Sequence, residues 1–196
     1  MTTAIILNGK CLDFEVKDDY IICADGGYRL LGKKPDCVIG DFDSLAEIPK
    51  DVKVLKHSAV KNQTDGEICI EYAISQGFKD INIYGALDGR PDHVLGNLSL
   101  LNLAYRLGVN AVIRDKNTSV YYARGVFNLS VEEGDILSVI PYGGPAFVKS
   151  SKNLMYPLFN LELLPHRTRG ISNIAAGKDI SLEISRGGVL VFHIFK

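Results

Sequence analysis

Two aspartates flank a single phenylalanine in VIGDFDSL, residues 38–45, where an apolar run stops at Gly40. In an extended strand, side chains at i and i+2 share a face. Asp41 and Asp43 are therefore expected to project together with Phe42 turned away. Two carboxylates about 5–7 Å apart repel each other by roughly 1 kcal/mol in water and several-fold more in a sheltered cleft. A divalent cation removes that penalty. Magnesium suits such a pair, because it takes one or two carboxylates, keeps several waters and fills the rest of its shell with phosphate oxygens. A tight Asp-rich turn with Ser44 capping the next element uses the same residues, so the pair needs support from elsewhere in the chain.

Three further stretches supply it. In NQTDGE, Thr64 and Glu67 have capping-box spacing at the start of a helical pattern. Asp65 falls in the first turn, where the helix dipole stabilises a carboxylate that can also reach into a cleft. In GALDGRPDH, an apolar run ends at Gly85 and Gly89 sits in a turn. Arg90 offers a planar fork of donors for phosphate, Asp92 is a candidate N-cap or metal ligand, and Pro91 fits a first helical turn. Asn97, farther along that helix, is grouped with the nucleotide-binding candidates, although a plain surface amide would look the same. In CADGGYRLLGKKPD, Asp25, Gly26 and Gly27 end another apolar run, where glycines let a nucleotide approach the backbone. Gly27 to Lys33 also has P-loop spacing, but Lys34 stands where Ser or Thr is required and YRLL reads as helix, so a P-loop is not expected.

Other chemistries find little footing. His57, His93, His166 and His193 lack metal-ligand spacing, and there is no GxSxG elbow or recognisable cysteine nucleophile motif. The formal net charge of −1 argues against nucleic acid as the main partner, so an anionic ligand has to be held by a local device. No apolar stretch is long enough to cross a bilayer as a helix. The opening MTTAIILNGK has no basic lead and reads as a first strand. Cys11, Cys23, Cys37 and Cys69 form no CxxC pair and fit reduced, buried thiols, hence a cytoplasmic setting.

The elements that must position these residues change character along the chain. Up to about residue 115, apolar runs (AIILNG, YIICADGG, DCVIGDFDS, VKVLKHS, DINIYGA, NAVIRD) interleave with the helical patterns TDGEICIEYAISQ and PDHVLGNLSLLNLAYRLG. Such alternation predicts an α/β unit with a mostly parallel sheet flanked by helices, its ligands outside the carboxyl ends of the strands. ADGG, GDFDS and GALDGRPD all fall at such ends. From about Gly125, VFNLSV, DILSVIPYGG, AFVKSS, NLMYPL, DISLEIS and GVLVFHIF predict a small antiparallel β-sandwich or barrel. The expected domains are 1–124 and 125–196.

ADGG, PDCVIGDFDS, QTDGE, GALDGRPDHVLGNLSLL, NLMYPL and GISN together resemble the thiamine pyrophosphokinases in order and approximate spacing, over nearly the whole chain. The resemblance implies a homodimer with its active site at the interface. It further implies transfer of a pyrophosphoryl group from ATP to the hydroxyethyl oxygen of thiamine, giving thiamine diphosphate and AMP. It makes Asp41, Asp43, Asp65 and Asp92 the magnesium and phosphate-site acids, puts Asp25, Gly26 and Gly27 on the nucleotide side and gives Arg90 the phosphates. It turns Ser172 and Asn173 toward thiamine from the second domain. Four departures stand out. Asn62 occupies a position that is often Asp in the family, Asp88-Gly89 replaces a double glycine, Asn153 stands where Gly is common, and the chain has no Trp.

Two rivals share parts of this pattern. VIGDFDSL also resembles the nucleophile strand of haloacid-dehalogenase-type phosphatases, but here it lies on the third apolar run and no later acidic pair follows in a suitable context. A non-catalytic sensor of thiamine diphosphate or a nucleotide would need fewer like charges than four aspartates.

Overall fold

A computed structural model describes residues 1–10, 12, 14–42, 51–57 and 62–196. Asp43, Ser44 and Cys11 lie outside the described residues. The chain divides into two compact units, Met1–Lys116 and Asn117–Lys196.

The first unit is built on strands β1 (Thr2–Ile6), β2 (Tyr20–Ala24), β3 (Cys37–Gly40), β4 (Lys53–Lys56), β5 (Asp80–Tyr84) and β6 (Asn110–Arg114). They run in the order β4-β3-β2-β1-β5-β6, and every pairing among them is parallel. Chain order therefore reverses between β1 and β5, which makes their carboxyl ends a topological switch point.

Helices α1 (Asp65–Ser75) and α2 (Pro91–Arg106) match the two helical patterns. Thr64 is the N-cap of α1, its hydroxyl accepting from the Glu67 amide at 3.3 Å. The N-cap of α2 is Arg90 with Pro91 following, so Asp92 is a first-turn residue and not a cap. Helix α1 packs on β1, β2 and β3, and α2 on β6; because the two helices also touch each other, they share one face of the sheet. The opposite face buries Ala4, Ile6, Cys23, Val38, Phe42 and Tyr84 under the β1–β2 connection and a short 3-10 helix, Asp25–Leu30. Helices on both faces were expected. Among the described residues, the connections between β1, β2 and β3 contain one 3-10 helix, and Tyr28 and Leu30 from it, with Leu31 after it, pack on that face.

The second unit contains β7 (Thr118–Ser130), β8 (Ile136–Pro141), β9 (Ala146–Lys152), β10 (Leu161–Leu163), β11 (Asn173–Ile174) and β12 (Asp179–Ile194), paired antiparallel. The division falls after Lys116 and not after 124, because TSVYYARG is the first half of β7 and pairs with the end of β12. DISLEIS and GVLVFHIF are one strand interrupted by an irregularity between Ile184 and Val189. The first half of β12 pairs with β9 and the second half with β8. NLMYPL is not a strand; Leu154 makes only an isolated bridge to Ala175. Leu137, Val139, Val148, Leu163, Leu182 and Val191 centre the core.

Candidate active site

The parallel registers bring the ends of four strands to one rim. Ile6 pairs with Cys23 and with Tyr84, and Ala24 pairs with Ile39. The residues that follow, Asn8-Gly9 after β1, Asp25 after β2, Asp41 after β3 and Gly85–Arg90 after β5, therefore lie side by side.

Close approaches tie the rim together. A Cβ at Gly40 would stand 2.8 Å from the Asp25 Cβ, so β3 ends directly against Asp25. A Cβ at Gly27 would collide with the Ile6 carbonyl, and one at Gly26 would meet the Asn8 side chain and Arg29. Gly26 and Gly27 thus allow the turn after β2 to press against the end of β1, a packing reason for glycine beside the expected nucleotide contact. Asp25 is 9% exposed and has a left-handed φ of 40°.

Phe42 has φ 62°, so the chain leaves extended geometry immediately after Asp41. Asp41 is thus the last extended residue of this run, and Asp43 lies outside the described residues. The Phe42 ring is buried with Ala4, Ile6 and Tyr84, and this anchors the turn that carries Asp41. Asp41 is half-buried.

Asp65 occupies the first position of α1 and is half-buried. Gly66 follows it without a side chain because a Cβ there would stand 2.9 Å from Leu100 and 3.3 Å from Leu7. That contact brings the start of α1 beside the end of β1.

On the far side of the switch point, Asp88 accepts from the Lys10 amide at 2.6 Å and packs against Gly9. The departure from a double glycine therefore clasps the β1 and β5 loops together. Arg90 and Asp92 pair bidentately, Nε to Oδ1 at 3.1 Å and Nη2 to Oδ2 at 2.6 Å, both largely exposed. The Arg90 hydrogen bonds and charge hold the Asp92 carboxyl down to about 2. Asn97 donates to the Ala86 carbonyl at 3.0 Å, tying α2 to the same loop. Asn62 is exposed. Lys33 of the spurious P-loop donates to the Val16 carbonyl at 2.6 Å, away from any phosphate cradle.

The donors available for a metal are carboxylate oxygens, which suits magnesium. Among the described residues, however, no group of three or more His, Cys, Asp or Glu side chains is assembled tightly enough to hold an ion. Asp41, Asp65 and Asp92 thus do not form a metal site by themselves, and the fit is one of donor chemistry.

In the second unit, Ser172 is exposed with φ 57°, and its amide donates to the Ser138 hydroxyl at 3.0 Å. Asn173 is only 3% exposed. Its carbonyl accepts from the amides of Tyr156 at 3.0 Å and Ile174 at 2.9 Å, and its amino group donates to the Tyr156 carbonyl at 2.7 Å. Its side chain fixes the Leu154–Tyr156 segment, leaving Met155 and Tyr156 more than half exposed.

Sequence reasoning passed over Asn8, whose signal was present in AIILNG: a polar pair at the end of the first strand, where the switch point falls. Its side chain packs against Gly26.

Residues 13–113 match the family model described as thiamin pyrophosphokinase, catalytic domain. The chain is 30% identical over 142 residues to thiamine pyrophosphokinase of Bacillus subtilis, covering 68% of this chain and 66% of the relative. It is 27% identical over 168 residues to thiamine pyrophosphokinase 1 of Arabidopsis thaliana, covering 76% of this chain and 62% of that one. The matches thus span just under two thirds of these curated relatives. The fold is similar to the crystal structure of thiamine pyrophosphokinase from Bacillus subtilis, with a TM-score of 0.86 at 22% identity and 100% of both chains covered. It is also similar to thiamin pyrophosphokinase from Candida albicans, with a TM-score of 0.80 at 18% identity, covering 100% of this chain and 89% of the other. At such identities these likenesses speak to the fold, a mixed α/β architecture with few helices. Since the matched segment carries Asp25, Asp41, Asp65, Arg90 and Asp92, all placed at the ends of strands or the starts of helices, the chain belongs to the thiamin pyrophosphokinase family.

Proposed function

We propose that the protein transfers a pyrophosphoryl group from ATP to the hydroxyethyl oxygen of thiamine, releasing AMP and thiamine diphosphate. The observation that carries this reading is the rim itself. The ends of β2, β3 and β5 present acids and one arginine beside the end of β1, at a topological switch point, and those acids and the arginine fall within residues 13–113, the segment that matches the catalytic-domain model.

Transfer of this kind relies on positioning and electrostatics, with little covalent work for the protein. Asp41, Asp43, Asp65 and Asp92 are the residues that would hold Mg²⁺, which when bound neutralises polyphosphate charge. Arg90 uses its Nε hydrogen and one Nη2 hydrogen on Asp92, so both Nη1 hydrogens and the second Nη2 hydrogen are the ones offered to phosphate oxygens. Asp65 or Asp92 would accept the hydroxyl proton of thiamine. Asp25, Gly26 and Gly27 flank the nucleotide, and Asn97 supports it by holding the Ala86 loop.

The finer architecture belongs to the same reading: a parallel-sheet catalytic unit and a C-terminal sandwich or barrel that binds thiamine. Ser172 would meet thiamine directly, and Asn173 would act by presenting Met155 and Tyr156. The working form is a cytoplasmic homodimer with the active site at its interface, without nucleic-acid or membrane partners. No helix among the described residues is long and apolar enough to cross a membrane.

The test is purified protein with ATP, Mg²⁺ and thiamine, the products resolved by mass. AMP with thiamine diphosphate supports the assignment, and ADP with thiamine monophosphate would overturn the reaction type.

A further inference from the structure

A cavity of about 510 Å³ in the second unit is lined by Glu162, Leu164, Arg167, Thr168 and Arg169. None of these residues belongs to the site described above. Two guanidinium groups two positions apart, with a threonine hydroxyl between them in sequence, are a donor set for an oxyanion.

The electrostatics favour an anion despite the glutamate in the wall. Glu162 is paired with Arg186, which cancels its charge. Neither Arg167 nor Arg169 has a carboxylate partner among the described residues. The lining therefore keeps two uncompensated positive charges.

The loop that presents them is held at both ends. Before it, β10 pairs with β9, and the Arg167 amide donates to the Leu164 carbonyl at 2.9 Å, closing a turn. After it, the Val139 amide donates to the Gly170 carbonyl at 2.8 Å, and Gly170 has φ 87° with no room for a Cβ against Val139. Ser172 is then fixed to Ser138. Fixing the backbone on both sides lowers the ordering cost of a multivalent contact.

We infer that Arg167, Thr168 and Arg169 form a binding pocket for a di- or triphosphate group, next in the chain to the Ser172-Asn173 segment. The choice of phosphate esters over other oxyanions rests on the function proposed above; the pocket itself does not. Each guanidinium can engage a phosphate through parallel N–H donors, which a lysine cannot reproduce.

The experiment is calorimetric titration of the full chain, magnesium-free and in the Asp41→Asn background, with sodium tripolyphosphate as the probe. Binding should weaken at least about tenfold in Arg167→Ala/Arg169→Ala and less in Arg167→Lys/Arg169→Lys. Circular dichroism and melting temperature should stay unchanged, because both side chains are exposed. Equal binding by all three proteins, or no binding by the Asp41→Asn protein, overturns the proposal. Displacement of the probe by ATP assigns the pocket to a nucleotide triphosphate, displacement by thiamine diphosphate assigns it to the product, and displacement by neither overturns the phosphate-ester assignment. No thiamine turnover by the unmodified chain with ATP and Mg²⁺, together with arginine-dependent tripolyphosphate binding, would reject the function proposed above and leave this pocket standing.

Discussion

The carboxyl-end rim of the first unit and the Ser-Asn segment of the second use their polar side chains differently. At the rim, acids come from the ends of separate strands and from helix starts, and Arg90 and Asp92 meet in an exposed pair that a ligand can compete for. In the second unit, Asn173 is buried and fully engaged with the main chain of Tyr156 and Ile174. A motif residue can therefore serve a site in two ways, by touching the ligand or by fixing the segment that does. Burial and hydrogen-bond partners tell the two apart.

The contrast can be broken most forcefully at Asp41. Asp41→Asn keeps the size and the Phe42 anchor, so AMP release from ATP and thiamine should fall by about a hundredfold or more while the melting curve hardly moves. Near-normal turnover would remove Asp41 from the rim's chemistry.

Asn173→Ala should show the opposite profile. It removes three part-buried hydrogen bonds at about 1 kcal/mol each and leaves two main-chain groups of Tyr156 without their side-chain partner, so urea denaturation should report a loss of roughly 2–3 kcal/mol. Unchanged stability would return Asn173 to a direct ligand role.

Asn153 sharpens the comparison at smaller scale. Its φ of 58° is the left-handed region that Gly and Asn tolerate, and its side chain donates to the Asp179 carbonyl at 2.7 Å. Asn153→Gly should be tolerated within about 1 kcal/mol and Asn153→Val should cost about 1–2 kcal/mol more, read from the same denaturation midpoints. Equal costs would remove the backbone explanation for Gly and Asn exchanging here.

The smallest effect is expected from pH. Asp135 is buried, which alone raises its pKa. Hydrogen bonds from His193 at 2.6 Å and from the amides of Glu132 and Lys196 outweigh that and leave it lowered. A depressed folded-state pKa means this stabilisation is complete above the unfolded value, near 3.8, and fades as pH falls through the lower folded one. Melting temperatures taken below about pH 4 should therefore drop less steeply for Asp135→Asn than for the unmodified chain. Parallel curves would show that Asp135 does not carry this dependence.

The alternation of apolar runs with helical patterns made the first unit legible, because strand and helix periodicities are local properties of the chain. The GDFDS and GRPDH blocks marked strand ends for the same reason. The left-handed backbone at Phe42 was not legible, since a bulky residue at positive φ is set by the pocket that receives its ring. The fusion of DISLEIS with GVLVFHIF was hidden too: SRGG reads as a turn, and only pairing with β7 along its length shows a strand that bends and continues.

Taken alone, the sequence determined which residue types stand at the ends of apolar runs, and with them the carboxylate and guanidinium chemistry available to the protein. Tertiary structure decided which of those side chains face outward. Asp88 turned to the Lys10 amide and the buried Asn173 to Tyr156, because polar groups find partners wherever the packed chain brings them. Those partners lie 78 and 17 residues away along the chain, beyond the reach of any local pattern.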